Sequence, residues 1–406
     1  MTVADRRLEE LATAVAAPGT DPRRLAGLIA WLSAPRRGPT ALRRAVAAAS
    51  ERGDADLDSS GLDAVLSVAG PSASEARSAG DLLERWASLR CQVVLVDDPT
   101  YPPRLRSDWP DLDAPPFLVL RGDLASARLA VAIVGARRAS GYGTGVAAWL
   151  AEGAAAAGIR IISGGAVGID AAAHRAAVDE PGGTTVVLGC GHGIGYPRGH
   201  AQPGGLFDRI VEAGGAVISE QFPDQRPRAG VVRARNRLVA ALADVTVVVE
   251  GGDRSGALLT AGAAAERSRE VLAVPGDVRA PGSAAPHRLL AEGALPCIGP
   301  QHLLEQVRTA VHGVASWSAG DATAPPGGLD RGAPSLPGIA PAVTTLPDDV
   351  YRHLADAWPR PVRTDHLATA TDRPAPQLLA AVTRAQVAGE LTVDTDGVRL
   401  RRAPVG

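Results

Sequence analysis

The 406-residue chain has no lysine; all 42 of its basic side chains are arginine. Any contact between a cationic side chain and a phosphate must therefore be made by a guanidinium, which is planar and can bond in a bidentate way. Aromatic residues make up only 3% of the chain, too few for an extensive platform on which nucleobases stack. The three cysteines, Cys91, Cys190 and Cys297, are isolated and odd in number, so they read as reduced packing residues of a cytoplasmic protein rather than a disulfide framework. No Cys/His spacing fits zinc, and the eight histidines form no paired metal-ligand motif; no metal or other cofactor is expected. No apolar run is long enough to span a bilayer, and the N-terminus lacks a secretory pattern. The formal net charge of −2 excludes a globally basic nucleic-acid binder. A local patch would have to do that work.

What the chain does have is punctuated order. Residues 1–90 read as a small helical module, with apolar residues at helical spacing over 8–16, 22–32, 39–50 and 74–89. From Cys91 to 311, short β-branched runs alternate with helical segments. The strand expectations are 93–96, 117–120, 130–134, 160–163, 184–188, 216–219, 245–249 and 271–274. The helices between the later strands are expected over 142–157, 170–178, 200–213, 235–243 and 260–269. This alternation implies an α/β fold with a doubly wound parallel sheet. Residues 312–345, rich in Gly, Pro, Ala and Ser, read as a flexible linker. Over 346–406, helices at 348–358, 364–369 and 374–388 precede a hairpin turning at Asp396-Gly397, which is the winged-helix order.

The functional signal gathers where the parallel strands end, the edge at which such sheets bind ligands. Gly135-Ala-Arg-Arg-Ala-Ser-Gly-Tyr-Gly143 is a small-residue loop with Arg137 and Arg138, opening a helix. It is not the G-x-G-x-x-G of a dinucleotide site, and no acidic residue closes the second strand. Ser163-Gly-Gly-Ala-Val-Gly-Ile-Asp170 brings a phosphate donor in Ser163, close backbone approach at Gly164, and Asp170, which also reads as a helix cap. Gly189 through Pro197 is glycine-rich; its His192 has no nucleophile beside it. Arg233, Arg235, Asn236 and Arg237 open a helix that feeds a buried strand. That strand ends at Glu250, which could orient Arg235 or Arg237, or accept from a sugar hydroxyl or a base edge. Ser255, Gly256 and Thr260 open the next helix. Guanidiniums and helix N-termini together favour a phosphate chain.

These motifs, in order, resemble the DNA-processing protein A (DprA/Smf) family. The likeness runs from about Val94 to Ala294 through Asp98-Pro-x-Tyr-Pro-x-x-Leu105, Ile133-Val-Gly-x-Arg-Arg138, the Ser163–Asp170 loop with His174, Tyr196-Pro197, Ser219-Glu220, Arg235-Asn-Arg237, Val249-Glu250, Ser255-Gly-x-Leu-x-Thr-Ala261 and Ala273-Val-Pro-Gly276. The resemblance implies an extended Rossmann-like domain and single-stranded DNA as ligand. It also implies a non-catalytic role in natural transformation: protecting incoming strands and loading the RecA recombinase, commonly as a homodimer. Carried over by position, the DNA pocket involves Arg137, Arg138, Ser163, Gly164, Arg235, Asn236 and Arg237, shaped by Gly256 and Thr260; Gly135, Arg233, Glu250 and Ser255 complete the candidate set. The chain departs from the family at Val167, where many relatives are basic, at Gly165, and at Val231-Val-Arg-Ala234, where Phe-Pro is frequent. Arg233 is the expected substitute for the missing cation. Two other readings stay open: a nucleotide-processing Rossmann-like enzyme of the nucleoside-monophosphate N-glycosidase type with Glu250 at its centre, and a winged-helix DNA-binding regulator.

Overall fold

The computed structural model describes residues 3–35, 72–107, 114–124 and 129–312 without a break. It also describes 347–357, 362–371, 391–394 and 397–400, with isolated residues in 37–48, 65–66 and 378–382. The chain divides into two compact units, Met1–Ala319 and Gly320–Gly406.

The first unit opens with helices α1 (Val3–Val15), α2 (Pro22–Ser33) and α3 (Ala73–Ser88). Asp21 caps α2 by accepting from the Arg23 amide, with Pro22 as the first helical residue. Ser72 and Glu75 form a reciprocal capping box on α3. The helix expected over 39–50 falls largely outside the described residues. Leu25, Leu28, Leu83 and Trp86 of these helices share one apolar cluster with Val93, Leu95, Phe117 and Val119. They therefore cover one face of strands β1 (Gln92–Leu95) and β2 (Phe117–Gly122).

Between those strands lies the short helix α4 (Pro103–Arg106). Then follow β3 (Ala130–Val134), α5 (Gly141–Ala156), β4 (Arg160–Ser163), α6 (Ile169–Ala177), β5 (Thr184–Val187), α7 (Arg198–Ala201), α8 (Leu206–Glu212) and β6 (Ala216–Ser219). The chain continues through α9 (Ala229–Leu242), β7 (Val245–Val248), α10 (Gly256–Ala265), β8 (Glu270–Ala273), α11 (Ala284–Ala291), β9 (Leu295–Pro296) and α12 (Pro300–His312). The sheet order is β1-β2-β6-β5-β4-β3-β7-β8-β9. From β6 to β9 every pairing is parallel. The sheet is nonetheless mixed, because β1 and β2 join antiparallel at the β6 side, a common addition to a doubly wound sheet.

Alternation along each strand explains why the runs are apolar throughout. Ala130, Ala132 and Val134 face a cluster with Leu238, Leu242 and Ala261. Val131 and Ile133 face the opposite cluster with Leu150, Ala154, Ala173 and Leu303. Both faces are covered by helices, so no polar alternation survives in the sequence.

Several boundaries differ from the sequence expectation. The single helix expected over 200–213 is two, α7 and α8, separated at Pro203-Gly204, where proline and glycine interrupt the turn. Helix α9 begins at Ala229, six residues before the expected start, after Pro227 and an extended Arg228. The arginines thus sit in the body of the helix, not at its opening. Strand β9 and helices α11 and α12 were not anticipated.

In the second unit, helices α13 (Asp348–Ala357) and α14 (Thr364–Ala370) accompany the hairpin β10 (Leu391–Asp394) and β11 (Gly397–Leu400). Val350, Leu354, Leu367, Leu378, Val382 and Val398 form its core. Asp394 pairs with Gly397, so Gly397 belongs to the strand and not to the turn. The linker over 312–345 and most of the helix expected over 374–388 lie outside the described residues.

Candidate functional site

Strand order reverses at β3, which pairs β4 on one side and β7 on the other. The crevice expected at such a switch point is present as a cleft of about 990 Å³. It is lined by the loops after β3 and β7, the start of α10 and the first two turns of α9. Six guanidinium-bearing residues line it: Arg137, Arg228, Arg233, Arg235, Arg254 and Arg288. Against them stand Asp170 and Asp253. Arg288 is tied to Glu292, four residues on, at 2.8 Å. A strongly cationic hollow therefore exists in a chain whose net charge is −2.

Arg235 defines the floor. It is only 6% exposed, and its Nε has no hydrogen-bond partner. Among the described residues no ion pair within contact distance meets it. Burial pulls its pKa below the ordinary arginine value, and the Asp170 carboxylate opposes that shift. Asp170 is pushed up by burial and pulled back by Arg235 and by backbone hydrogen bonds from Ala166 and Gly164. The guanidinium fits because residue 164 is glycine: a Cβ there would come within 1.7 Å of Nη1. A buried cation with open donors is an incomplete arrangement, and an anion completes it.

The other candidate residues separate into three groups. Gly135, Arg137, Arg233, Asn236, Ser255, Gly256 and Thr260 join Arg235 in the cleft. Within that group Asn236 Nδ2 donates to the Gly256 carbonyl at 3.0 Å, tying α9 to α10. Ser255 Oγ accepts from the Ala257 amide at 3.2 Å as the cap of α10, which leaves its own O–H as a donor. Arg138 is exposed but lines a separate hollow on the far side of the β3 loop.

Three expectations are corrected. Arg237 does not face the cleft: it makes two bonds to the Glu220 carboxylate, at 2.8 and 2.6 Å, because its position on α9 turns it toward the end of β6. Ser163 is fully buried and donates to the Ile133 carbonyl at 2.6 Å, bracing β3 against β4. Glu250 orients neither Arg235 nor Arg237; it accepts from the Ser140 amide at 2.9 Å and from the Ser140 hydroxyl, fixing the start of α5.

Sequence reasoning missed Arg228, Arg254 and Arg288, which line the cleft together with Tyr196 of the Tyr196-Pro197 motif. The signal for Arg228 lay in the run Gln225-Arg-Pro-Arg228, ahead of a helix whose true start was obscured. His192 hydrogen-bonds the Val119 carbonyl at 3.1 Å, and burial lowers its pKa to about 4. Val167 is exposed and lies outside the cleft.

Comparison with known proteins gives a consistent result. The family model described as DNA recombination-mediator protein A matches residues 92–308. The protein Smf of Escherichia coli is 34% identical over 77% of this chain and 78% of its own length. A Mycobacterium tuberculosis relative that carries the DprA name is 42% identical over 56% of this chain and 60% of its own length. Among solved structures, DNA processing protein A from Streptococcus pneumoniae aligns with a TM-score of 0.55 at 27% identity, covering 70% of this chain and 98% of that one. Among the described residues no helix is long and apolar enough to cross a membrane.

Proposed function

The chain belongs to the DNA recombination-mediator protein A family, and on that premise we propose that its arginine cleft holds the phosphate backbone of single-stranded DNA. The protein acts there as a binding protein, not as an enzyme. It protects incoming strands during natural transformation in the cytoplasm, works as a homodimer, and passes the strand to a RecA-type recombinase. The C-terminal unit is a winged-helix-like accessory.

The observation that carries this reading is Arg235: a buried guanidinium without a contacting counter-charge, at the floor of a cleft walled by Arg137, Arg228, Arg233 and Arg254. Phosphates satisfy guanidiniums regardless of base sequence. Of the two carboxylates lining the cleft, Asp170 is engaged by the Ala166 amide. With six guanidinium-bearing residues against two carboxylates, the site is suited to holding an anion.

The test is a salt-titrated binding assay with a labelled single strand and its duplex. The single strand is expected to bind more tightly, with log K falling linearly in log[salt] at about −0.7 per phosphate neutralised. Arg137→Ala and Arg233→Ala should each weaken binding and flatten that slope by one such unit. Equal affinity for duplex, or a slope untouched by both substitutions, removes the cleft from DNA binding.

A further inference from the structure

Beside the arginine cleft lies a second hollow of about 670 Å³, within the size range of small-ligand sites. The turn after β3 divides the two: Arg137 lines the cleft, and its neighbour Arg138 lines the hollow. A nucleotide whose phosphate rests in the cleft therefore has the hollow next to it.

Two features of the hollow are chemically specific. The first is Glu250, which lines it and is 7% exposed. Its bonded partners are the amide and hydroxyl of Ser140, and among the described residues no cation pairs with it. Gly143 lets the α5 backbone pack directly against the carboxylate, since a Cβ there would lie 2.3 Å from Cδ, while on the Gly282 side of the hollow a Cβ would make only ordinary van der Waals contact, at 3.5 Å. An ionised carboxylate has about four acceptor positions; Ser140 occupies two. The second is Tyr142, 55% exposed in a chain with few aromatics. Its hydroxyl donates to the Pro275 carbonyl at 2.7 Å, which holds the ring at the rim with much of its surface uncovered.

We propose that this hollow is a nucleobase subsite that prefers guanine. The inference rests on the single-strand reading of the adjoining cleft. Guanine alone among the natural bases presents two adjacent donors, N1–H and the 2-amino group, on its Watson–Crick edge, and a carboxylate is their matching double acceptor. Thymine offers one N–H between two carbonyl oxygens, which the carboxylate repels. Adenine and cytosine each set a ring-nitrogen acceptor beside the amino group. Tyr142 supplies the stacking surface.

The test uses the full chain and an oligothymidylate with one central position varied as dT, dG or deoxyinosine, which is guanine without its 2-amino group. Wild type should bind the dG strand about tenfold more tightly than the dT strand, the scale of hydrogen bonds to a charged acceptor. Deoxyinosine should lose a large part of that gain. Glu250→Gln should abolish the dG-to-deoxyinosine difference, while Tyr142→Leu should weaken all strands and keep their ratio. Equal binding of the three strands by wild type overturns the guanine subsite and leaves the cleft reading intact. No measurable binding of any strand overturns the cleft reading itself, and the subsite with it. Because the decisive comparison uses unmodified protein, a poorly folding Glu250→Gln does not affect it.

Discussion

Gly164 and Arg235 form a size-matched pair. No positive φ marks Gly164, so its backbone tolerates alanine; what alanine lacks is room, since its methyl would overlap the Arg235 guanidinium. The overlapped group is the free end of a long side chain, which can swing away at small cost to stability. Gly164→Ala should therefore leave the melting temperature within about 2 °C of wild type, a surface-like effect of under roughly 0.5 kcal/mol. It should nonetheless cut single-strand affinity at least as far as Arg235→Ala does. Thermal unfolding and fluorescence anisotropy on the same samples check both halves; an unchanged affinity would show that Arg235 is not a ligand. At this scale the sequence carried part of the answer. The triplet Arg235-Asn-Arg237 announces cations, but spacing could not tell that the first is buried and open while the third is bonded to Glu220, seventeen residues upstream. Ser163 and Glu250 were misread for a related reason: a polar residue at a strand end looks available until its buried partner is known.

Helix α9 shows how one element divides its side chains between jobs. Arg233 and Arg235 serve the cleft, and Arg237 anchors the helix to the end of β6 through a pair whose side chains are 17% and 8% exposed. Breaking such a pair leaves a largely buried carboxylate without its counter-charge. Arg237→Ala is expected to cost about 2–3 kcal/mol, somewhat below the range for fully buried pairs, seen as a lower urea midpoint with unchanged m-value. The folded fraction should still bind single strands with near wild-type affinity. A variant that is stable yet fails to bind would restore Arg237 to the DNA site. The start of this helix was hidden because Gly230-Val-Val232 has poor helix propensity. Pro227 and the extended Arg228 set the boundary instead, and packing of Leu238, Val239 and Leu242 carries the helix. The strands were legible almost to the residue because each is a short, doubly buried apolar run. The two-residue β9 offered no such run, and nothing local marks β1 and β2 as antiparallel.

Across the whole molecule, the fold is stapled by neutral histidines, and this fixes its response to acid. Thr184 Oγ1 donates to the Ile161 carbonyl at 2.9 Å, so it must accept from His174 Nδ1 at 2.7 Å. His174 Nε2 is then a buried acceptor without a partner. Burial, with Arg235 and Arg175 nearby, lowers the His174 pKa to about 3, and burial lowers that of His192 to about 4. Both groups have native pKa values below the unfolded value of about 6.5. Below that pH the unfolded chain takes up protons that the native state refuses. Their stabilising contribution is thus complete above about pH 6.5 and is lost as pH falls toward 4 and then 3. Each histidine contributes a slope of up to about 1.4 kcal/mol per pH unit in that window. Buried Asp170 and Asp98, whose carboxyls burial pushes up, act in the opposite sense and soften the slope at its acid end. Urea midpoints measured from pH 7.5 to 4.5 should fall continuously below pH 6.5, and His192→Gln, which keeps a donor for the Val119 carbonyl, should reduce the steepness by about half. A flat profile, or one unchanged in His192→Gln, would mean that the histidine is protonated in the native fold and that the Val119 contact tolerates its charge.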